Sequence, residues 1–572
     1  MKAPETDLLT QALKECRPLF AGALAFSFVI ALLSLAVPLY TMQVFDRVLS
    51  SASLDTLLML TIIVGGCVLA MGLLQLFRQV MLTQISRWMD DKLSEEIVAR
   101  SVSLAVYTPT IGTQPVRDLT TVRNFYSSPN FFQALDAPWA VLFFIVLYII
   151  NVTIGIVVTL AALFLLTLAV ITQRWPAKRL EAAGDAQIRS MQGLETVVRN
   201  AEVVSAMGMI RNASLRWRRH NTEHLEDSYT AQAITAGLGN FTRTFRMSLQ
   251  VVITAIGTWF VIRGEMSMGA IIAVNILTGK ALAPFDASVG IYQLWVAMRK
   301  ARKRLDTVLA QEAVEEDRLA LPEPVGAVQI DKLTYQDPRT GRWQLRGVNL
   351  AIEPGKALGV IGPSGSGKTT LARLMMGVKP ATSGAVLLDG AALDQWPMDQ
   401  LSAALGYLPQ DIELFSGTVA ENIARMSDDP DEEAVIRAAQ MAEVHEFILT
   451  LPEGYQTDIG EQGVNLSAGQ RQRVALARCF YGTPKFVVLD EPNSNLDTDG
   501  EQALVQCLRN AREAEITVVL IAHRPALLHH VDHIAVLKAG ELVMYEEAKT
   551  VLARLSGQNA AAQPLPQERQ AQ

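Results

Sequence analysis

Cysteine is scarce in this chain. Cys16, Cys67, Cys479 and Cys507 are scattered over 572 residues, and no two form a CxxC or another metal-binding spacing. That excludes a disulfide framework and a thiolate metal centre. Charge is thin as well. Asp, Glu, Lys and Arg make up 19% of the residues, against about 25% in an ordinary soluble chain. The net charge of −7 gives no basis for a nucleic-acid partner. No cleavable leader is expected either. Leu19–Tyr40 is longer than a leader's apolar core and lacks a small-residue cleavage site.

What fills the space is apolar. Hydrophobic residues reach 50% and the mean hydropathy is +0.23, high enough to require a search for membrane spans. The first half contains them. Leu19–Tyr40 and Leu57–Phe77 are uncharged runs close to the roughly 20 apolar residues of a spanning helix. Ala137–Gln173 is uncharged and too long for one span, so it reads as two helices with a very short turn near Asn151. Met247–Ile262 and Met266–Gly279 are weaker candidates, bringing the expectation to six. Lys280 and Asp286 either face a polar path or lie beyond the last span.

Two long connections, 78–136 and 174–246, are Arg-rich and helical in pattern, while the turns around 41–56, 151 and 263–265 are short. The positive-inside rule puts the long connections and both termini in the cytoplasm. Residues 301–325 run from charged helix into proline-containing linker. From about 326 short β-branched runs alternate with helices and glycine turns, the mark of an α/β domain. The last residues carry no core pattern and are expected to be disordered.

One phosphate-binding motif stands out. An apolar run, Ala357–Ile361, leads into Gly362, Pro363, Ser364, Gly365, Ser366, Gly367, Lys368 and Thr369, and then a helical stretch. That is strand, glycine-rich loop and helix in the order a phosphate loop needs. Backbone amides freed by glycine wrap phosphate oxygens, and the helix start adds positive potential. Lys368 suits the β- and γ-phosphates, Thr369 suits Mg²⁺, and Thr370 lies next in the loop. A second run, Phe486–Leu489, ends in Asp490-Glu491. A buried parallel strand delivers its acids at its carboxyl end, where such sheets bind ligands. Asp490 then suits Mg²⁺, and Glu491 suits polarisation of the attacking water. The cofactors implied are ATP and Mg²⁺.

The stretch LSAGQRQRVALAR, 466–478, narrows the class. Leu466–Gln470 resembles the LSGGQ signature of the ATP-binding cassette (ABC) transporters, with Ala468 where that family has glycine. Further motifs follow the family's order: Tyr335 in KLTYQD for adenine stacking, Gln410 in YLPQD for Mg²⁺ sensing, and TDIGEQG at 457–463. Asn495-Leu496-Asp497 matches the loop after the acidic pair, and His523 in LIAHRP matches the γ-phosphate histidine. The resemblance covers 326–550. It implies that Ser467, Gly469 and Gln470 face the ATP of a second copy. Glu491, His523, Gln410 and Lys368 would be the catalytic set. Thr369, Gln410 and Asp490 would hold the metal. If Ala468 has ordinary helix-start dihedrals its methyl costs little; if φ is positive the cassette closes poorly.

Membrane domain first and cassette second is the exporter order in that family. YTMQVFDRVLSSASLDTLLMLT (40–61) and ALDAPWAVLFFIVLY (134–148) resemble the type I protein-secretion ATPases. Within them the chain is similar to exporters of metalloproteases with repeats-in-toxin regions and a C-terminal signal. The short stretch ahead of the first span leaves no room for an N-terminal peptidase-like domain. The expected architecture is multidomain: a short cytoplasmic N-terminus (1–18), an all-α six-span domain (19–305), a linker (306–325), an α/β P-loop ATPase domain (326–555) and a tail (556–572). The resemblance implies a homodimer in the bacterial inner membrane. It also implies a periplasmic membrane-fusion adaptor, an outer-membrane channel and a secreted protein substrate as partners. An exporter or flippase of lipids or small hydrophobic molecules shares every cassette motif and stands as the alternative. A channel or regulator with a degenerate ATPase is disfavoured, since Glu491 and His523 are present.

Overall fold

The computed structural model describes residues 8–106, 111–174, 177–310, 318–427, 429–522 and 525–561. The chain divides into two compact units, Met1–Glu312 and Ala313–Gln572.

Among the described residues the first unit is helical. Six segments are long and apolar enough to cross a membrane: Arg17–Ser51, Leu54–Ala105, Pro129–Ile150, Val152–Ile171, Ser228–Ile262 and Met268–Phe285. The joint near Asn151 is a single residue. The Asn151 side chain accepts from the amides of Thr153 and Ile154 at 3.0 and 3.2 Å, so one residue ends one helix and caps the next. The first turn differs from expectation. The helix does not stop near Tyr40 but passes through a π-turn, Val44–Val48, and the chain reverses at Ala52, with φ 49°. Asp46 explains the extension. Its carboxylate accepts from the Ser267 hydroxyl at 2.6 Å and the Gly269 amide at 2.9 Å, capping the start of the helix Met268–Leu309.

That helix continues to Leu309 with Pro284 inside it, and so reaches into the segment expected to be linker. Lys280 is half-buried along it, and the side chain of Asp286 lies outside the described ones. Below the spans, apolar packing around Leu82, Ile85, Met89 and Leu305 is laced by ion pairs. Arg304 grips Asp118 through two bonds of 2.7 and 2.6 Å, and Arg78 joins Ser27 and Asp136.

The second unit holds two sheets. An antiparallel sheet has the order β2-β1-β4-β5, from Trp343–Ile352, Val328–Gln336, Ser383–Leu388 and Ala391–Ala392. The second has the order β10-β9-β3-β8-β7-β6. It comprises Glu541–Glu547, His533–Lys538, Ala357–Ile361, Thr517–Ile521, Phe486–Asp490 and Leu405–Leu408. From β9 to β6 every neighbour is parallel. Strands β7 and β8 are buried at all positions, as a sheet covered on both faces requires. A helix, Ala548–Ala561, runs into the stretch expected to be disordered. Ala560 and Ala561 are favourable for helix there, and 562–572 lie outside the described residues.

Candidate functional site

The parallel register sets the site. Val360 pairs with Ile521 and Ile521 with Asp490, so the strand before the phosphate loop and the strand bearing the acids end at one level. Both deliver their loops to the same sheet edge, the carboxyl edge that binds ligands in open α/β sheets.

Gly367 has φ 103°, and a Cβ there would stand 2.7 Å from the Gln344 carbonyl oxygen, so no other residue fits this close turn. The helix Lys368–Met375 begins immediately after it. Lys368 is buried, and its ammonium donates to the carbonyls of Gly362 and Pro363 at 2.9 and 3.0 Å. Burial lowers its pKa, while the nearby carboxylates of Glu491 and Asp490 act to raise it. Pro363, Ser364 and Gly365 are exposed at the loop's crest, and Gly362 is half-buried. Ser366 is buried, and among the described residues its hydroxyl has no hydrogen-bond partner. The Thr370 hydroxyl donates to Gln344 at 2.7 Å.

Asp490 is fully buried, and neither carboxylate oxygen makes a hydrogen bond among the described residues. Burial raises its pKa, opposed by Thr369, Arg373 and Lys368 nearby. A buried carboxylate with no well-formed hydrogen bond, beside the Thr369 hydroxyl, is the arrangement a divalent cation completes. Glu491 has φ 53°, the left-handed region, which costs a non-glycine residue about 1–3 kcal/mol. Its amide donates to the Ile521 carbonyl at 3.0 Å, so the turn is held by the neighbouring strand β8. Gln410 follows β6 closely and its amide nitrogen donates to the Glu491 carboxylate at 3.1 Å. The structure thus brings Lys368, Thr369, Gln410, Asp490 and Glu491 to one edge. His523 lies outside the described residues.

Tyr335 sits in the core cluster that also holds Val360 and Leu371 and is 6% exposed. The Lys379 ammonium stands 5.2 Å from its ring centroid.

The segment 466–478 forms a helix, Ala468–Cys479, capped by Ser467. Ser467 and Gln470 make a reciprocal capping box: the Gln470 amide donates to the Ser467 hydroxyl at 3.3 Å, and the Ser467 amide to the Gln470 side chain at 2.8 Å. Ala468 is the first helical residue and is not among the residues of positive φ. Gly469 is the demanding position. A Cβ there would meet the Asn495 carbonyl oxygen at 2.9 Å. Within the chain Gly469 is thus a close approach to the loop after Glu491.

Gln472 was missed. It is 1% exposed, donates to the Pro492 carbonyl and accepts from the Asn495 amide at 3.0 Å. It hides between Arg471 and Arg473 in a polar run. A helical spacing with Leu476 and Cys479 was the available signal.

Comparison with known proteins agrees with this geometry. Residues 20–282 match the family described as ABC transporter transmembrane region, and 345–494 match ABC transporter. The chain is 40% identical over 549 residues to the type I secretion system ATP-binding protein PrsD of Rhizobium meliloti, covering 95% of this chain and 94% of that one. It belongs to the ABC transporter family. The cyclolysin secretion/processing ATP-binding protein CyaB of Bordetella pertussis is 29% identical, over 95% of this chain and 77% of its own. The leukotoxin translocation ATP-binding protein LktB of Bibersteinia trehalosi is 28% identical, over 92% and 75%. A solved structure of a bacterial Atm1-family ABC exporter with ATP bound superposes with a TM-score of 0.81 at 22% identity, over 97% of this chain and 99% of that one. The transporter therefore has a helical membrane unit and an ATPase unit, and couples ATP hydrolysis to transport.

Proposed function

We propose that this transporter is the inner-membrane ATPase of a type I secretion system. It works as a homodimer and moves an unfolded protein, a repeats-in-toxin type metalloprotease with a C-terminal signal, out of the cytoplasm. The observation that carries this reading is the 40% identity to PrsD along nearly the whole of both chains. A periplasmic membrane-fusion adaptor and an outer-membrane channel complete the path. The lipid or small-molecule exporter reading shares the cassette motifs but has no such whole-chain likeness behind it.

The proposed chemistry follows the geometry of the sheet edge. Lys368 exchanges the carbonyls of Gly362 and Pro363 for the β- and γ-phosphate oxygens, and the loop amides from Ser364 to Thr370 wrap the rest. Thr369, Asp490 and Gln410 would hold Mg²⁺, which neutralises phosphate charge when bound. Glu491 orients and polarises the attacking water. Gln410, bonded to the Glu491 carboxylate, links that group to its own loop. His523 meets the γ-phosphate. Tyr335 receives adenine once Lys379 gives up the ring face. Ser467, Gly469 and Gln470, at the start of a helix, face the second copy's ATP. Closure releases on hydrolysis because the two states bind nucleotide differently.

Glu491→Gln tests the catalytic assignment: ATP binding persists, hydrolysis is lost and a closed dimer accumulates. Undiminished turnover removes Glu491 from that role. The substrate is tested by adding a C-terminal peptide of a co-encoded secreted protease to the purified transporter. A change in ATPase rate is expected; a response to lipid and hydrophobic drugs alone overturns the secretion reading.

A further inference from the structure

The helix that Ser467 caps is fixed at its other end by two arginines, Arg425 and Arg478. Arg425 follows the short helix Val419–Ile423 and stands in the left-handed region, with φ 57°. The Met426 amide closes the turn on the Glu421 carbonyl at 2.8 Å. Glycine would make such a helix end with less strain. The arginine there brings a side chain that reaches four backbone carbonyls. Its guanidinium donates to Ser402, to Leu405 at 2.9 Å, and at longer range to Arg478 at 3.4 Å and Cys479 at 3.5 Å.

Those acceptors belong to different parts of the site. Arg478 and Cys479 close the helix that Ser467 opens, where a cation satisfies the last carbonyls and the helix dipole. Leu405 opens β6, the strand that leads to Gln410. Arg478 completes the connection. Its guanidinium donates twice to the Glu413 carbonyl at 3.3 Å and lies 5.7 Å from the Phe415 ring centroid. Phe415 is itself pinned by the fully buried Asn422, through bonds of 2.8 and 2.9 Å.

We propose that Arg425 is a positioning residue for ATP hydrolysis, which with Arg478 locks the helix Ala468–Cys479 to the strand and loop that carry Gln410. A shift of the Gln410 loop is then passed to the Ser467 end as a rigid movement, without a change in the chain's own phosphate loop. Arg425 touches neither nucleotide nor water; it acts through the helix. The proposal rests on the reading of Ser467, Gly469 and Gln470 as the half-site for a second copy's ATP.

The test uses the full-length transporter and the variants Arg425→Gly, which relieves the left-handed turn but removes the fork, and Arg425→Lys, which keeps one donor. ATP turnover, KM for ATP, unfolding temperature and amide hydrogen exchange are measured together. In Arg425→Gly the expected result is a kcat lower by about ten- to a hundredfold, the range a misplaced group produces. KM for ATP stays within about twofold of the parent, because the chain's own phosphate loop is untouched. The unfolding temperature falls by about 2–4 °C, since the relieved turn offsets only part of the lost bonds. Exchange quickens across 468–479 and is unaltered across 368–375, and Arg425→Lys recovers part of the rate. An unchanged kcat overturns the proposal. So does a fall in kcat accompanied by equal losses in KM and unfolding temperature, with exchange at 468–479 as in the parent. If the parent hydrolyses no ATP, the functional reading fails separately. Exchange alone then decides the brace: faster exchange at 468–479 supports it and unchanged exchange overturns it.

Discussion

Gln472 clamps Asn495. One side-chain amide accepts the Asn495 N–H at 3.0 Å and donates to the Pro492 carbonyl, joining the Ser467 helix to the turn that follows Glu491. The start of that helix and the turn that carries Glu491 are therefore tied together by one buried side chain.

Removing that clamp should loosen both. Gln472→Ala leaves the buried Pro492 carbonyl without a donor, at a cost of about 1–3 kcal/mol. Turnover is expected to fall more than ATP affinity, since Lys368 and its loop are not touched. Steady-state ATPase assays at varied ATP check this, and an unchanged kcat would show that the loop after Glu491 holds itself.

Ala468 and Gly469 should respond in opposite ways. Ala468 takes ordinary helical φ, so Ala468→Gly weakens the helix by about 1 kcal/mol and does not raise turnover. Gly469→Ala pushes a methyl against the Asn495 carbonyl, an overpacking worth about 1–3 kcal/mol, and turnover falls. A large gain in ATPase rate from Ala468→Gly is the outcome that contradicts this.

Asp490 predicts a pH-dependent stability. Its folded pKa is raised by burial, so the protonated form suits the fold. The stability it contributes is present at low pH and lost as pH rises through the raised value. Asp490→Asn removes that loss. Without nucleotide and Mg²⁺ the variant should unfold at higher temperature near neutral pH, by about 2–4 °C per kcal/mol relieved. The difference should shrink as pH falls, while Mg²⁺-dependent hydrolysis is abolished. Thermal scans at several pH values measure it; a variant less stable at pH 7 would show that Asp490 is not held against burial.

In the membrane unit, Asp118→Asn breaks the grip of Arg304. A fully buried pair broken on one side costs about 3–5 kcal/mol. Here Arg304 is 40% exposed and water screens it, so about 1–3 kcal/mol is expected. Pairing Asp118→Asn with Arg304→Gln should cost less than the two changes added, which a double-mutant cycle reads directly.

The phosphate loop and acidic pair were legible because their chemistry demands fixed residue types at fixed spacing: Gly367 cannot carry a Cβ, and Asp490 must end a buried strand. The Asn151 joint was legible from length, since no single helix spans so many uncharged residues. The reach of the first span past Tyr40 was not, because it depends on Asp46 capping a helix more than 200 residues away in the chain. Arg425 was invisible for the same reason, and Gln472 was marked only by its helical spacing with Leu476 and Cys479. Their partners are backbone carbonyls and amides, which every residue has and no motif marks.

The helix Leu54–Ala105 has 52 residues, a rod of about 78 Å at 1.5 Å per residue, while the hydrocarbon layer is about 30 Å thick. More than half of it thus overhangs the bilayer, packed along its length through Leu82, Ile85, Met89 and Ile97. A tilt of about 5° within the membrane would swing its far end, and the helices packed on it, by roughly 4 Å, about three residues of helical rise. Gain of that kind lets a small angular change among tightly packed spans become a displacement the size of a side chain, in either direction.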